Sequence, residues 1–174
     1  MPGLRPFPLL WKDELATATF ARTLAAQAAL DDAFISLHGD LGAGKTTLVR
    51  YLLQSLGILG RIKSPTYTIV ETYMAAGFAV SHFDFYRFND PQEWEDAGFR
   101  DIFASPGLKL AEWPEKAAGL LPVADLEIHI DAVGDSQRLV HLYAHSPRGN
   151  RLLQALEQAA ESAESADPSG KDAA

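Results

Sequence analysis

The sequence predicts an α/β domain with a mostly parallel central sheet, helices on both faces and a C-terminal hairpin. Three observations carry this expectation. Stretches with apolar residues at spacings of three and four alternate with short, continuous apolar runs, the pattern of strands buried under helices. A glycine-rich loop joins one such run directly to a helical stretch. No linker or internal repeat interrupts Phe34 to Tyr143. Residues 1–150 are therefore expected to form a single domain, and 151–174 a helix end and disordered acidic tail.

The elements follow in order. Leu15, Ala18, Ala21, Leu24, Ala25 and Ala28 predict an amphipathic helix over 13–30. Ala33 to His38 is a short apolar run ending at a glycine loop, hence a buried strand. Thr46 to Leu56 is helical and stopped by Gly57. Thr66 to Tyr73 and Phe78 to Phe85 predict two strands around Met74-Ala75-Ala76-Gly77. Pro91 opens a helix to about Phe99, and Leu108 to Glu112 is another short buried strand. Pro114 starts a turn of helix. Leu126 to Ile130 and Arg138 to Tyr143 predict a hairpin around Gly134-Asp135.

Composition narrows the function. The 174 residues carry 15 basic and 23 acidic side chains, a formal charge of −8, and no cysteine. Disulfides, thiolate metal sites and a cysteine nucleophile are thereby excluded. The acidic balance opposes autonomous nucleic-acid binding, because phosphate neutralisation needs a basic face. Half of that charge lies at the end of the chain, where Glu157, Glu161, Glu164, Asp167 and Asp172 face only Lys171. The first fourteen residues do not resemble a signal peptide, and no apolar run is long enough to span a bilayer. A cytoplasmic protein without a membrane partner is expected.

The decisive stretch is Gly39-Asp40-Leu41-Gly42-Ala43-Gly44-Lys45-Thr46-Thr47, in which Gly39 to Thr46 fits G-x-x-x-x-G-K-[ST] without a mismatch. Glycines let the backbone curl so that successive N–H groups face an anion. The helix N-terminus that follows favours the same anion. Residues Leu41 to Thr47 are therefore the expected nucleotide-binding segment. Lys45 would reach the β- and γ-phosphates, the Thr46 hydroxyl would ligate Mg²⁺, and Thr47 would touch the α-phosphate. A chance match in a chain of this length has odds of roughly 0.5%. The fold class is accordingly that of the P-loop NTPases. No Asn-Lys-x-Asp guanine-reading motif occurs, so ATP is the expected nucleotide.

Two acids, Asp84 and Glu112, stand at the expected carboxyl ends of buried strands, where ligands of open α/β sheets collect. Either could support Mg²⁺ or orient a water, and sequence does not divide those roles. Asp40 lies inside the loop, where its charge is unfavourable to phosphate, so its side chain is expected to turn away or cap a donor. Arg87 is equally a phosphate contact or a structural ion pair. His38 reads as a packing residue. His82, His129, His141 and His145 have no metal-ligand partner at helical spacing and receive no chemistry.

Four stretches in register resemble the bacterial TsaE (YjeE) ATPase family: the phosphate loop, Ser64-Pro65-Thr66-Tyr67-Thr68, His82-Phe83-Asp84-Phe85-Tyr86-Arg87 and Glu112-Trp113-Pro114-Glu115-Lys116. The similarity covers roughly Asp13 to His145. It implies an ATP- and Mg²⁺-dependent ATPase needed for threonylcarbamoylation of the adenosine beside the anticodon, in tRNAs reading codons that begin with A. It implies TsaD and TsaB as partners, which carry out the transfer while ATP hydrolysis supports turnover. It further implies a switch-like loop at Ser64 and Thr66, a Walker-B-like acid at Asp84, and a metal-site or catalytic acid at Glu112. Trp113 would sit beside the site, with Glu115 and Arg138 as further neighbours of the nucleotide. No arginine finger is evident, so turnover is expected to be slow alone and stimulated by a partner, with tRNA left to the partners.

Two other functions compete. A small-molecule kinase would need an Arg-bearing lid, yet residues 87–101 hold Arg87 and Arg100 among Asp90, Glu93, Glu95, Asp96 and Asp101. A nucleotide-gated binding module without useful hydrolysis would place that acidic segment at a protein interface.

Overall fold

The structure, a computed structural model, describes residues 6–166. Seven strands form one sheet in the order β1-β7-β6-β2-β5-β4-β3. They are β1 (Phe7–Trp11), β2 (Phe34–His38), β3 (Val70–Met74), β4 (Ala79–Asp84), β5 (Leu108–Glu112), β6 (Leu126–Val133) and β7 (Gln137–Ala144). The neighbours β6, β2, β5 and β4 pair in parallel, while β1, β7 and β3 pair antiparallel at the two sides. The expected α/β architecture, with its parallel core and C-terminal hairpin, is the observed one.

Alternation along the strands divides the core between two faces. Ile35 and Leu37, Leu108 and Leu110, and Leu126, Ile128 and Ile130 pack with α1 (Glu14–Ala25), α2 (Lys45–Ser55) and α5 (Pro147–Ala166). Phe34, Phe83 and Ala111 face the other way. They join an aromatic cluster with Phe85, Phe88, Trp94 and Phe99, the last two borne by α3 (Pro91–Asp96) and α4 (Phe99–Ala104).

Element boundaries differ from the sequence expectation where backbone geometry intervenes. The helix from Asp13 ends at Ala25, because Gln27 is extended and a separate 3-10 turn covers Ala28–Leu30. Asp13 caps its start by accepting a hydrogen bond from the Ala16 amide at 2.9 Å. The strand expected from Thr66 begins only at Val70. The Ile69 amide donates to Pro65 O at 2.8 Å and Ile69 has φ 64°, which closes a turn instead of extending the chain. The helix opened by Pro91 is broken by Gly98 at φ 69° into α3 and α4. One element was not anticipated, and the expected C-terminal helix end proves to be a longer helix. β1 pairs with β7 across the whole chain, and α5 continues to Ala166 with Leu152 and Leu156 buried against the sheet. The tail expected to be disordered lies, beyond Ala166, outside the described residues. No helix among the described residues is long and apolar enough to cross a membrane.

Candidate functional site

The carboxyl ends of the parallel strands converge on the glycine loop. β2 delivers the chain to Gly39, and α2 leaves from Gly44, whose φ of 109° closes the loop. No side chain caps α2, so its first-turn N–H groups have no side-chain partner at the cap. A Cβ on Gly39 would lie 2.4 Å from Ile130 O, so the loop passes hard against β6 there. Arg138 on β7 holds the loop from the other side, donating from Nε to Ala43 O at 2.7 Å.

Lys45 is buried (5% exposed). Its ammonium donates to Gly39 O at 2.5 Å and Asp40 O at 2.9 Å, and lies 4.3 Å from the centre of the Trp113 ring. Burial pulls its pKa below the ordinary lysine value, opposed by Glu112, Glu115, Asp84 and Asp40. Trp113 takes φ 55°, a conformation unusual for a large side chain, between β5 and the 3-10 turn Pro114–Ala117. That kink turns the indole toward Lys45 and Tyr86, the latter ring 5.0 Å away. Asp40 itself is exposed, and its backbone carbonyl rather than its carboxylate serves the loop.

Register places the two acids side by side, since Asp84 on β4 is the direct partner of Glu112 on β5. Glu112 is 1% exposed. Its Oε1 accepts from the Thr46 hydroxyl at 2.7 Å and its Oε2 from His82 Nε2 at 2.9 Å. A carboxylate only accepts, so His82 Nε2 carries the hydrogen. His82 Nδ1 is the buried side-chain polar atom left without a partner among the described residues. Asp84 accepts from the Ser64 hydroxyl and, at 3.0 Å, from the Tyr86 amide. Ser64 thus ties the 57–69 loop to the acid pair, and Arg87 stacks at 5.0 Å over the exposed Tyr67 ring of the same loop.

A cleft of about 400 Å³ is lined by Leu41, Gly42, Gly44, Lys45, Thr46, Thr47, Ser64, Thr66, Asp84, Glu112 and Trp113, with Tyr86 and Arg87. A second recess of about 240 Å³ shares Gly44 and Thr47 and continues past Ala43 and Arg138. Trp11, Asp13, Glu14 and Thr17 complete it together with Asp135 and Ser136 of the β6–β7 turn. Of the residues anticipated at the site, Glu115 alone lines neither recess. Its carboxylate lies 4.0 Å from His38 Nδ1. Sequence reasoning missed His82, whose role rests on cross-strand register. It also missed the Trp11 wall, which depends on the unanticipated β1.

The donor set is one of hard oxygens: a threonine hydroxyl, a serine hydroxyl and two carboxylates, beside a buried ammonium and an uncapped helix N-terminus. Such groups suit a phosphate chain with a small divalent cation. Fold and loop define the class: a P-loop α/β protein with paired acids at the ends of β4 and β5. The family follows from sequence, because the model described as "Threonylcarbamoyl adenosine biosynthesis protein TsaE" matches residues 11–140, and the chain belongs to the TsaE family. The tRNA threonylcarbamoyladenosine biosynthesis protein TsaE of Haemophilus influenzae is 48% identical over 122 residues, covering 70% of this chain and 77% of that one. The Bacillus subtilis protein of the same name is 36% identical over 140 residues, covering 80% and 87%. The crystal structure of Bacillus subtilis YdiB superposes with a TM-score of 0.71 at 27% identity, covering 91% of this chain and 99% of that one.

Proposed function

We propose that this chain is the ATPase of tRNA threonylcarbamoyladenosine biosynthesis, working in the cytoplasm with TsaD- and TsaB-type proteins. The observation that carries this is the meeting of Thr46, Glu112, Asp84 and Ser64 at the mouth of the phosphate loop. The loop amides and Lys45 would hold the phosphates, with Lys45 exchanging its carbonyl partners for phosphate oxygens. Thr46 and the acid pair would hold Mg²⁺, which when bound draws charge from the β- and γ-phosphate oxygens. Glu112 would orient the attacking water or the metal shell, held in place by His82. The base and ribose would extend along the shared Gly44–Thr47 edge into the recess walled by Trp11 and Arg138. Ser64 and Thr66 would sense the γ-phosphate from the 57–69 loop, giving partners a nucleotide-dependent surface. The acidic balance of the chain leaves stable tRNA binding to those partners.

The kinase alternative gains nothing from the 87–101 segment. Trp94 and Phe99 anchor it in the aromatic core, and Arg100 is paired with Glu95 at 2.6 Å. The test measures phosphate release by the protein alone, with the TsaD–TsaB pair, and with a metabolite panel. Stimulation by the pair is expected. A phosphorylated metabolite would overturn the proposal, and ATP-dependent assembly without any hydrolysis would reduce it to a binding module. Glu112→Ala should abolish turnover while retaining ATP binding, whereas Lys45→Ala should weaken binding.

A further inference from the structure

The sheet face opposite α2 carries a histidine cluster that the phosphate site does not use. β2 and β6 run in parallel with His38 directly opposite His129. Glu127 lies two residues before His129, hence on the same face of β6. The His38 and His129 rings stack in parallel with centroids 4.1 Å apart, and Tyr143 packs edge-on against His129 at 5.0 Å. Glu127 Oε2 accepts from His129 Nε2 at 3.0 Å and lies 4.0 Å from His38 Nε2. Glu127 Oε1 lies 3.1 Å from His145 Nε2, just past the end of β7. One ligand atom from each of His38, Glu127 and His129 falls within 4.8 Å of the others.

We propose that His38, Glu127 and His129 form a binding site for a divalent ion of the Zn²⁺ class, with His145 positioning the Glu127 carboxylate. Two imidazoles and one carboxylate are the ligand set of late first-row ions, whereas Mg²⁺ prefers all-oxygen shells. Donors bound to one tetrahedral ion at about 2.0–2.2 Å lie about 3.3–3.5 Å apart. From separations of up to 4.8 Å the cluster therefore contracts by up to roughly 1.5 Å on binding. That adjustment is open to side-chain torsions, because the four side chains are between 21% and 36% exposed. It also requires His38 Nε2 to leave its present partner, the Ser36 hydroxyl at 3.0 Å.

Burial, with His129 beside it, lowers the His38 pKa, opposed by Glu127 and Glu115. Burial alone would raise the Glu127 pKa, but the His129 hydrogen bond and the neighbouring His38 and His145 bring it below the usual value. His38 is also the residue before Gly39, so an ion there would anchor the strand end from which the phosphate loop departs.

The test is calorimetric titration of tag-free protein with Zn²⁺ in excess Mg²⁺, together with the visible spectrum of the Co²⁺-loaded protein. One ion per chain is expected. His129→Ala and Glu127→Gln should each lower affinity by at least about tenfold, and His145→Ala by about 10–100-fold. The Co²⁺ bands should change in all three variants. Circular dichroism checks folding, and the isosteric Glu127→Gln keeps the test valid if His129→Ala fails to fold. Glu112→Gln, at the phosphate site, should leave Zn²⁺ affinity unchanged. Absence of one-to-one binding, or binding lost in Glu112→Gln but retained in Glu127→Gln, would overturn the proposal without touching the ATPase reading.

Discussion

Replacing His82 by Ala tests how the buried acid of the phosphate site is held. His82 is fully buried, and its one hydrogen bond runs from Nε2 to Glu112 Oε2 at 2.9 Å. Losing a hydrogen bond to a charged acceptor costs about 1.5–3 kcal/mol. The void left by the imidazole, only partly closed by its neighbours, adds about 1–2 kcal/mol. Nδ1 has no partner to lose, so nothing further is added on that side. The total of about 2.5–5 kcal/mol corresponds to a fall in Tm of about 5–20 °C for a chain of this size. Thermal denaturation at neutral pH measures it. His82→Gln, whose amide still reaches the carboxylate, should recover roughly half of the loss. A His82→Ala variant melting within about 2 °C of the parent would refute the reasoning, since neither the bond nor the void would then matter.

Three other substitutions probe the scaffold and the loop. Gly149→Ala would set a Cβ 1.8 Å from Asp125 O, at the point where α5 meets the sheet. A loss of about 2–4 kcal/mol in chemical denaturation is expected, and an unchanged midpoint would show that α5 can shift freely. Gly39→Ala combines φ 148° with the 2.4 Å approach to Ile130 O, so it should cost at least about 2 kcal/mol by the same measurement. Arg138→Ala removes the 2.7 Å bond to Ala43 O. If the loop holds nucleotide as proposed, ADP affinity measured by fluorescence titration should fall by about tenfold or more, and unchanged affinity would place Arg138 outside the site.

Much of the fold was legible because it is written in short-range patterns. β2, the phosphate loop and α2 follow one another within about two dozen residues, and both Asp84 and Glu112 were found at strand ends as expected. β1 was not legible: Phe7-Pro8-Leu9-Leu10-Trp11 contains a proline and has no independent strand signal. It becomes a strand only because β7 offers an open edge. The extent of α5 was not legible because its exposed face is polar and acidic, and its buried residues are few: Gly149, Leu152 and Leu156. Helical spacing pairs neither His38 nor His129 with another histidine, whereas Glu127 and His129 lie at strand spacing and His38 comes from another strand.

The sequence by itself determined the phosphate loop, the positions of its two acids and the alternation of helices and strands, because glycine geometry and hydrophobic period act within a few residues. Only the tertiary structure decided what those residues touch. Strand order sets Glu112 against His82, 30 residues away, and against Thr46, 66 away. The same order brings Trp11 beside the loop and His38 beside His129. Contacts of that kind depend on how strands pair across the chain, which local propensity does not encode.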